Sequence, residues 1–104
     1  MANTPEGKVK DEIRKVLDAL PDCWYFMPPA SPYGRAGIPD FVGHVAGRFF
    51  AIEAKAEKGV LTALQRRQIA RLRDTGAAVG VARTGADARS LLAPLLRTPE
   101  VPHD

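Results

Sequence analysis

Glu53 and Lys55 have the residue types and the spacing to act together on a phosphate ester. They are two residues apart in the run FFAIEAK, so a β-strand would point both side chains to the same face. Phe50, Ile52 and Ala54 would then point to the opposite face. A charged pair on an otherwise apolar strand is costly to bury unless it is paired or bound to a cation.

Asp40 is predicted to join this pair through a β-hairpin. Two strand-like runs, 40–45 and 48–55, are separated by Ala46 and Gly47, a pair typical of a tight turn. Asp40 and Glu53 are each six residues from this turn, so antiparallel pairing brings them together. An alternative is that the charges form only a salt bridge at a sheet edge, where a lysine also discourages aggregation.

Two carboxylates beside a lysine are suited to hydrolysis of a phosphodiester. Carboxylate oxygens are the ligands that Mg²⁺ prefers. The metal polarises the phosphoryl group and lowers the pKa of an attacking water, while the ammonium orients that water or offsets developing charge. The pattern therefore predicts a metal-dependent nuclease centred on Asp40, Glu53 and Lys55.

Four strings carry a resemblance to a known family: GIPDF, GRFFAIEAK, TALQ and GAAVGVA. In order and spacing they resemble the VRR-NUC branch of the PD-(D/E)xK nucleases over about residues 5–90. The resemblance implies a restriction-endonuclease-like core, Mg²⁺ or Mn²⁺ as cofactor and cleavage of DNA. It implies that Asp40 and Glu53 are metal ligands and Lys55 the catalytic lysine. Small members of the branch, often carried by phages, resemble Holliday-junction resolvases in being homodimers.

Glu6 is predicted to complete the metal site. On the first helix it lies roughly 35° from the centre of the apolar stripe, whereas Glu12 lies roughly 85° away. An acid in a first turn also stabilises the helix dipole whatever the function. The resembling family has an acid at the start of its first helix, so we choose Glu6 over Glu12. We include Ala54, between Glu53 and Lys55, in the metal site.

Gln65 is predicted to support the site. It follows Thr62 by three residues, which makes a capping box and is a complete structural explanation. Gln65 also lies near the middle of an apolar stripe on its helix, where a buried amide must find partners. Gln68 is placed almost as well, and the family pattern favours Gln65. The stripe comprises Leu61, Leu64, Ile69 and Leu72.

Basic residues are the candidates for nucleic-acid contacts. The formal net charge is +3 and the pI about 9.4, which favours a polyanionic partner without identifying it. Arginines crowd the second predicted helix, and we assign Arg66 and Arg67 to phosphate binding together with Arg35, just before GIPD. The alternatives are a solvated helix face and a loop arginine without a role.

The order of predicted elements is helix 4–20, an apolar segment 23–27 that is a strand or core plug, the hairpin, helix 62–75, strand 77–82 and helix 86–96. This order predicts an α/β domain with a mixed sheet flanked by helices. We expect one domain over residues 1–97 and a disordered tail over 98–104. The third helix should pack Leu91, Leu92, Leu95 and Leu96.

Other function classes lack their signals. The first residues, MANTPEGKVK, lack the apolar stretch of a secretory signal, and no run of about 20 apolar residues could span a bilayer. Cys23 is the one cysteine of the sequence. We therefore expect an intracellular, cytoplasmic protein, with a phage source and a bacterial host suggested only by the resemblance. His44 and His103 lie far apart, which makes a histidine zinc site improbable. No phosphate-binding glycine loop and no G-x-S-x-G motif occur.

The function predicted from the sequence is a metal-dependent endodeoxyribonuclease, structure-selective for branched DNA such as Holliday junctions and acting as a homodimer. One alternative is a nuclease without branch preference. Another is a basic nucleic-acid-binding module whose carboxylates only form salt bridges. A third is a nuclease subunit that needs a larger partner.

Overall fold

The computed structural model describes residues 4–30 and 34–96, which form three helices and four strands. The elements are α1 (Pro5–Ala19), β1 (Cys23–Phe26), β2 (Phe41–Val45), β3 (Arg48–Ala54), α2 (Ala63–Asp74), β4 (Ala78–Ala82) and α3 (Gly85–Leu96). Their order and type confirm the predicted α/β class. The predicted disordered tail, 98–104, lies outside the described residues.

The four strands form one mixed sheet in the order β1-β2-β3-β4. β1 and β2 pair antiparallel, as do β2 and β3, while β3 and β4 are parallel. The hairpin register sets Phe41 opposite Ile52 and Val45 opposite Arg48. As a result β3, which carries Glu53 and is followed directly by Lys55, is an inner strand with a neighbour on each side.

The turn between β2 and β3 has the backbone that the sequence predicts. Ala46 and Gly47 both have positive φ, 51° and 76°. This is the backbone of the tight hairpin turn whose twist matches that of the flanking strands. Glycine adopts a positive φ without strain, whereas alanine does so at some cost.

Helix α1 begins where its capping residues predict. The Thr4 hydroxyl accepts a hydrogen bond from the Gly7 amide at 3.0 Å, and Pro5 occupies the first turn. The apolar stripe of α1 is buried against the sheet: Val9, Ile13, Val16 and Leu17. Glu12 has a structural role in the same layer, because its Oε1 accepts from the Gly85 amide at 2.9 Å and so holds the start of α3.

Two layers of helix enclose the sheet. The main core lies between α1, α3 and the sheet face that carries Phe50 and Ile52. A smaller cluster, formed by Ala51, Ile69 and Val79, lies on the opposite face beneath α2. Among the described residues no helix is long and apolar enough to cross a membrane.

Two predicted core positions are wrong. Leu64 is 49% exposed and Leu96 is 45% exposed. Leu64 lies in the first turn of α2 and Leu96 at the end of α3, whereas the buried residue of α2 is Ile69 and the most deeply buried leucine of α3 is Leu92. Helical spacing places a side chain on a face, but it does not tell how far the opposing layer reaches.

Candidate active site

Glu53 and Lys55 are the buried charged residues of the described chain, with residue exposures of 2% and 9%. Strand alternation places Glu53 on the face of β3 that α2 covers, opposite to Phe50 and Ile52. Because β3 is an inner strand, the alternative of a solvent-exposed salt bridge at a sheet edge does not describe this pair. A buried ion pair is a weak source of stability, so its position calls for a functional explanation.

Asp40 lies immediately before β2, across the hairpin from Glu53. Its Oδ2 accepts a hydrogen bond from the Ala54 amide at 2.9 Å. That bond fixes the Asp40 carboxylate at the end of β3. The sequence-predicted convergence of Asp40 with the Glu53-Ala54-Lys55 segment is therefore present in the fold.

The turn that leads into Asp40 depends on Gly37. Its φ is 79°, and a Cβ at this position would lie 2.5 Å from the carbonyl oxygen of Leu64. The turn thus packs directly on the backbone of the first turn of α2, an approach that only glycine permits. This contact couples the position of Asp40 to that of α2.

Gln65 connects α2 to the site. Its Nε2 donates to Oε2 of Glu53 at 3.2 Å, and its Oε1 accepts from the Thr62 amide at 2.9 Å. The Thr62 hydroxyl in turn accepts from the Gln65 amide at 3.1 Å, which completes the capping box. The capping and site-supporting roles considered for this residue are compatible, because each uses a different atom of one amide group.

The Glu53 carboxyl group has one oxygen without a hydrogen-bond partner. Oε1 is buried and has no hydrogen-bond partner. Oε2 accepts the hydrogen bond from Gln65 and lies 4.0 Å from Nζ of Lys55. The pKa of Glu53 is raised from its usual 4.5 to about 8, chiefly by burial and then by the nearby Asp40, while Lys55 opposes the shift. A deprotonated Glu53 thus needs an additional positive charge near Oε1.

Glu6 is brought to the same place by the first turn of α1. Its Oε1 lies 3.7 Å from Nζ of Lys55. Its Oε2 lies 3.8 Å from Nζ of Lys10, which in turn lies 3.5 Å from Oδ1 of Asp40. Ammonium groups therefore alternate with the three carboxylates Glu6, Asp40 and Glu53.

Hard oxygen donors are the chemistry that a magnesium or manganese ion requires. The unpartnered Glu53 oxygen, the Asp40 carboxylate and the Glu6 carboxylate fit such an ion in type and in charge. As placed, the residues in 4–30 and 34–96 contain no group of three or more histidine, cysteine, aspartate or glutamate side chains gathered closely enough to hold a metal. The lysine ammoniums occupy the space between the acids instead.

Arg83 organises the loop that covers Lys55. Its Nη1 donates to the carbonyl oxygens of Ala56, Glu57 and Gly59, at 2.5, 3.2 and 2.8 Å. A Cβ at Gly59 would lie 3.4 Å from Cδ of Lys55, so this loop lies along the stem of the lysine. Arg83 thereby holds this loop over the Lys55 side chain, whose ammonium also lies near Glu6 and Glu53.

The predicted nucleic-acid-binding arginines occupy different surroundings. Arg35 lines a cleft of about 320 Å³ that also includes Gly37 and Asp40. Arg66 donates to the Leu61 carbonyl at 3.1 Å, and Arg67 is exposed on α2. Arg35 is thus the one of the three whose cleft reaches a candidate catalytic residue.

Sequence reasoning missed Lys10 and Arg83. Lys10 follows Glu6 by four residues, a helical pairing that the sequence does contain. Its second contact, with Asp40, joins residues thirty positions apart and depends on how α1 crosses the sheet. Arg83 follows β4 with no local pattern to mark it, because its partners are carbonyl oxygens.

The mixed sheet, with a buried acid and lysine on an inner strand and an aspartate across the hairpin, is the arrangement of an α/β nuclease domain. The sequence profile of the VRR-NUC domain matches residues 6–86. The chain belongs to the VRR-NUC family, a family of nuclease domains.

A solved structure described as a VRR-NUC domain is similar to this one. The two share 27% sequence identity and a TM-score of 0.71, and the alignment covers 86% of this chain and 96% of that one. The comparison with curated proteins gives no match. Family and fold therefore agree from two independent comparisons.

Proposed function

We propose that the protein is a metal-dependent endodeoxyribonuclease of the PD-(D/E)xK type that hydrolyses phosphodiester bonds in branched DNA. The observation that carries the proposal is the burial of the Glu53 carboxyl group together with its unpartnered oxygen. This carboxyl group is 2% exposed, and one of its oxygens is unpartnered beside Asp40 and Lys55. Burying such a group is costly unless it is paired or bound to a metal, and a bound metal ion would meet that cost.

The residues divide into metal ligands and supporting groups. Glu6, Asp40 and Glu53, with Ala54, would hold Mg²⁺ or Mn²⁺. A bound ion of this kind polarises a phosphoryl group and lowers the pKa of an attacking water. In the overall hydrolysis the oxygen of water forms a bond to phosphorus and gives up a proton to solvent, one P–O ester bond breaks, and the leaving oxygen takes up a proton.

Lys55 and Gln65 are assigned separate tasks. The Lys55 ammonium, held between Glu6 and Glu53, orients the attacking water and offsets charge that develops on the phosphate. Gln65 holds the Glu53 carboxylate by donating to Oε2, and the other oxygen, Oε1, would be available to a metal ion. Arg35, Arg66 and Arg67 bind backbone phosphates, for which the net charge of +3 is favourable.

Branch preference, dimerisation and location extend the proposal beyond the site. One chain offers one cutting centre, so cleavage of two strands of a junction requires a symmetric pair. We propose a homodimer on this ground. The resemblance to junction-resolving phage enzymes supports a phage-encoded protein that acts in the cytoplasm of a bacterial host.

A cleavage assay tests the proposal. Labelled four-way junction, flap and linear duplex are incubated with Mg²⁺, with Mn²⁺ or with EDTA. We expect the junction to be cut fastest, and only with metal. Lys55→Ala should lower the rate by about 100-fold or more, whereas Lys58→Ala, an exposed lysine three residues on, should cut nearly as fast as the wild type.

Each part of the proposal has a result that would overturn it. Absence of cleavage of every DNA with either metal would favour the non-catalytic binding module, and full activity of Lys55→Ala would remove Lys55 from the proposed catalytic residues. Equal rates on all three DNAs would retain the nuclease and remove its branch preference. Sedimentation that shows only monomer at micromolar concentration would remove the homodimer.

A further inference from the structure

Lys10 lies between two of the proposed metal ligands. Its Nζ is 3.5 Å from Oδ1 of Asp40 and 3.8 Å from Oε2 of Glu6. Asp40 and Glu6 come from different parts of the fold, the hairpin and α1. The ammonium therefore neutralises two carboxylates whose mutual repulsion would otherwise separate them.

Lys10 and Lys55 differ in how firmly the protein encloses them. The Lys55 side chain is 11% exposed and lies beneath the loop held by Arg83, whereas the Lys10 side chain is 30% exposed on the surface of α1. Lys10 can move its ammonium into water by rotating its own side chain. Lys55 cannot do so without displacing the loop.

A divalent cation needs the carboxylate oxygens with which Lys10 is paired. Oδ1 of Asp40 faces Lys10, while Oδ2 is engaged by the Ala54 amide. The Glu6 carboxylate is shared in the same way, with Oε2 facing Lys10 and Oε1 facing Lys55. Lys10 thus faces an oxygen of each of these two carboxylates.

We propose that Lys10 is a displaceable counter-ion of the metal site, whose ammonium competes with the divalent cation for Asp40 and Glu6. The inference rests on the proposed function, since it takes these carboxylates as ligands. Lys10 stabilises the metal-free arrangement, and metal binding breaks both of its ion pairs. It is a positioning residue, because it acts on the ligands and not on the substrate.

Metal binding without DNA tests this directly. Isothermal titration of Mn²⁺ into metal-free protein compares the wild type with Lys10→Met, which keeps the length of the side chain but removes its charge. Because partly exposed ion pairs contribute modestly, we expect Lys10→Met to lower the dissociation constant for Mn²⁺ about three- to tenfold. Lys8→Met, an exposed position on the same helix, should change it by less than about twofold, since screening weakens the effect of exposed charges.

A charge-preserving variant separates competition from a loss of structure. Lys10→Arg retains the positive charge and should bind Mn²⁺ no more tightly than the wild type. Lys10→Gln replaces Lys10→Met if circular dichroism shows that the methionine variant does not fold. Unchanged or weaker Mn²⁺ binding by the folded neutral variant would overturn the role of Lys10.

Failure of this inference can be distinguished from failure of the proposed function by Glu53→Gln. If the wild type binds no Mn²⁺, or Glu53→Gln binds it equally well, the proposed metal site is wrong. The proposed competition between Lys10 and the metal is then wrong too. If Glu53→Gln loses binding while neutral Lys10 variants bind as the wild type does, only the competition is wrong.

Discussion

On the sheet face that α2 covers, the side chains near the start of β3 differ in solvent exposure from those near its end. At the start of the strand, Trp24, His44 and Phe49 form a row across β1, β2 and β3, and both Trp24 (58%) and Phe49 (45%) are exposed. At its end, Glu53 and Lys55 are buried. On one face of the sheet, apolar side chains are thus exposed to solvent and charged side chains are buried.

The difference follows from what covers each end. The first turn of α2, the turn at Gly37 and the loop held by Arg83 all lie over the end of β3. At the start of the strand Trp24 packs on its own neighbours, with ring centroids 5.9 Å from Phe26 and 6.2 Å from His44. Exposed apolar side chains are common in proteins, whereas buried charged side chains are rare, so the covered end is the more informative one.

Removing the buried charge should have the largest effect on stability. The pKa of Glu53 is raised from 4.5 to about 8, first by burial and then by Asp40. Between these values the folded protein retains a proton that the unfolded chain releases, so the unfolding free energy should fall as pH rises from 4.5 to 8. At pH 9 in EDTA we expect Glu53→Gln to be more stable than the wild type by on the order of 2–3 kcal/mol.

Urea unfolding at pH 5, 7 and 9 in EDTA measures this effect. The advantage of Glu53→Gln should shrink toward pH 5, where the folded wild type carries the same neutral group. Glu57→Gln, in the exposed loop that follows, should show no such pH dependence. A difference between wild type and Glu53→Gln that stays constant with pH would contradict the raised pKa.

Loosening the cover over Lys55 should have an intermediate effect. A lysine at position 83 cannot reproduce the arrangement in which one guanidinium serves three carbonyls. We expect Arg83→Lys to lower the unfolding free energy by about 1–2 kcal/mol and to slow DNA cleavage about tenfold, chiefly in kcat. Arg89→Lys, on the exposed side of α3, is the matched control, and equal cleavage by both variants would remove the positioning role.

Changing the exposed end should have the smallest effect. Trp24→Ser should change the unfolding free energy by less than about 1 kcal/mol, because most of this side chain already contacts water. Tyr25→Ser, one residue on, should cost more, since Tyr25 packs against Phe41 and donates to Asp18 at 2.7 Å. Urea unfolding compares the two, and a larger loss for Trp24→Ser would reverse the contrast between the ends of the face.

Local sequence signals predicted the elements and much of the site's geometry. The Ala46-Gly47 turn fixed the hairpin register, and the register placed Asp40 across from Glu53. The roles of the site residues themselves stay predictions. The exposure of Trp24 was not foreseen, because CWYF has no polar alternation to distinguish its faces. Lys10 and Arg83 escaped notice since their decisive contacts join segments far apart in the chain.

Because Ala46 has a left-handed backbone conformation, a substitution at this position could raise the stability of the domain. A residue with a side chain generally loses about 1–2 kcal/mol in that conformation, and asparagine tolerates it better than alanine. Position 46 is exposed and lies at the far end of the hairpin from Asp40 and Glu53. An engineer could therefore replace this alanine to offset a destabilising change elsewhere, with the chemistry left untouched.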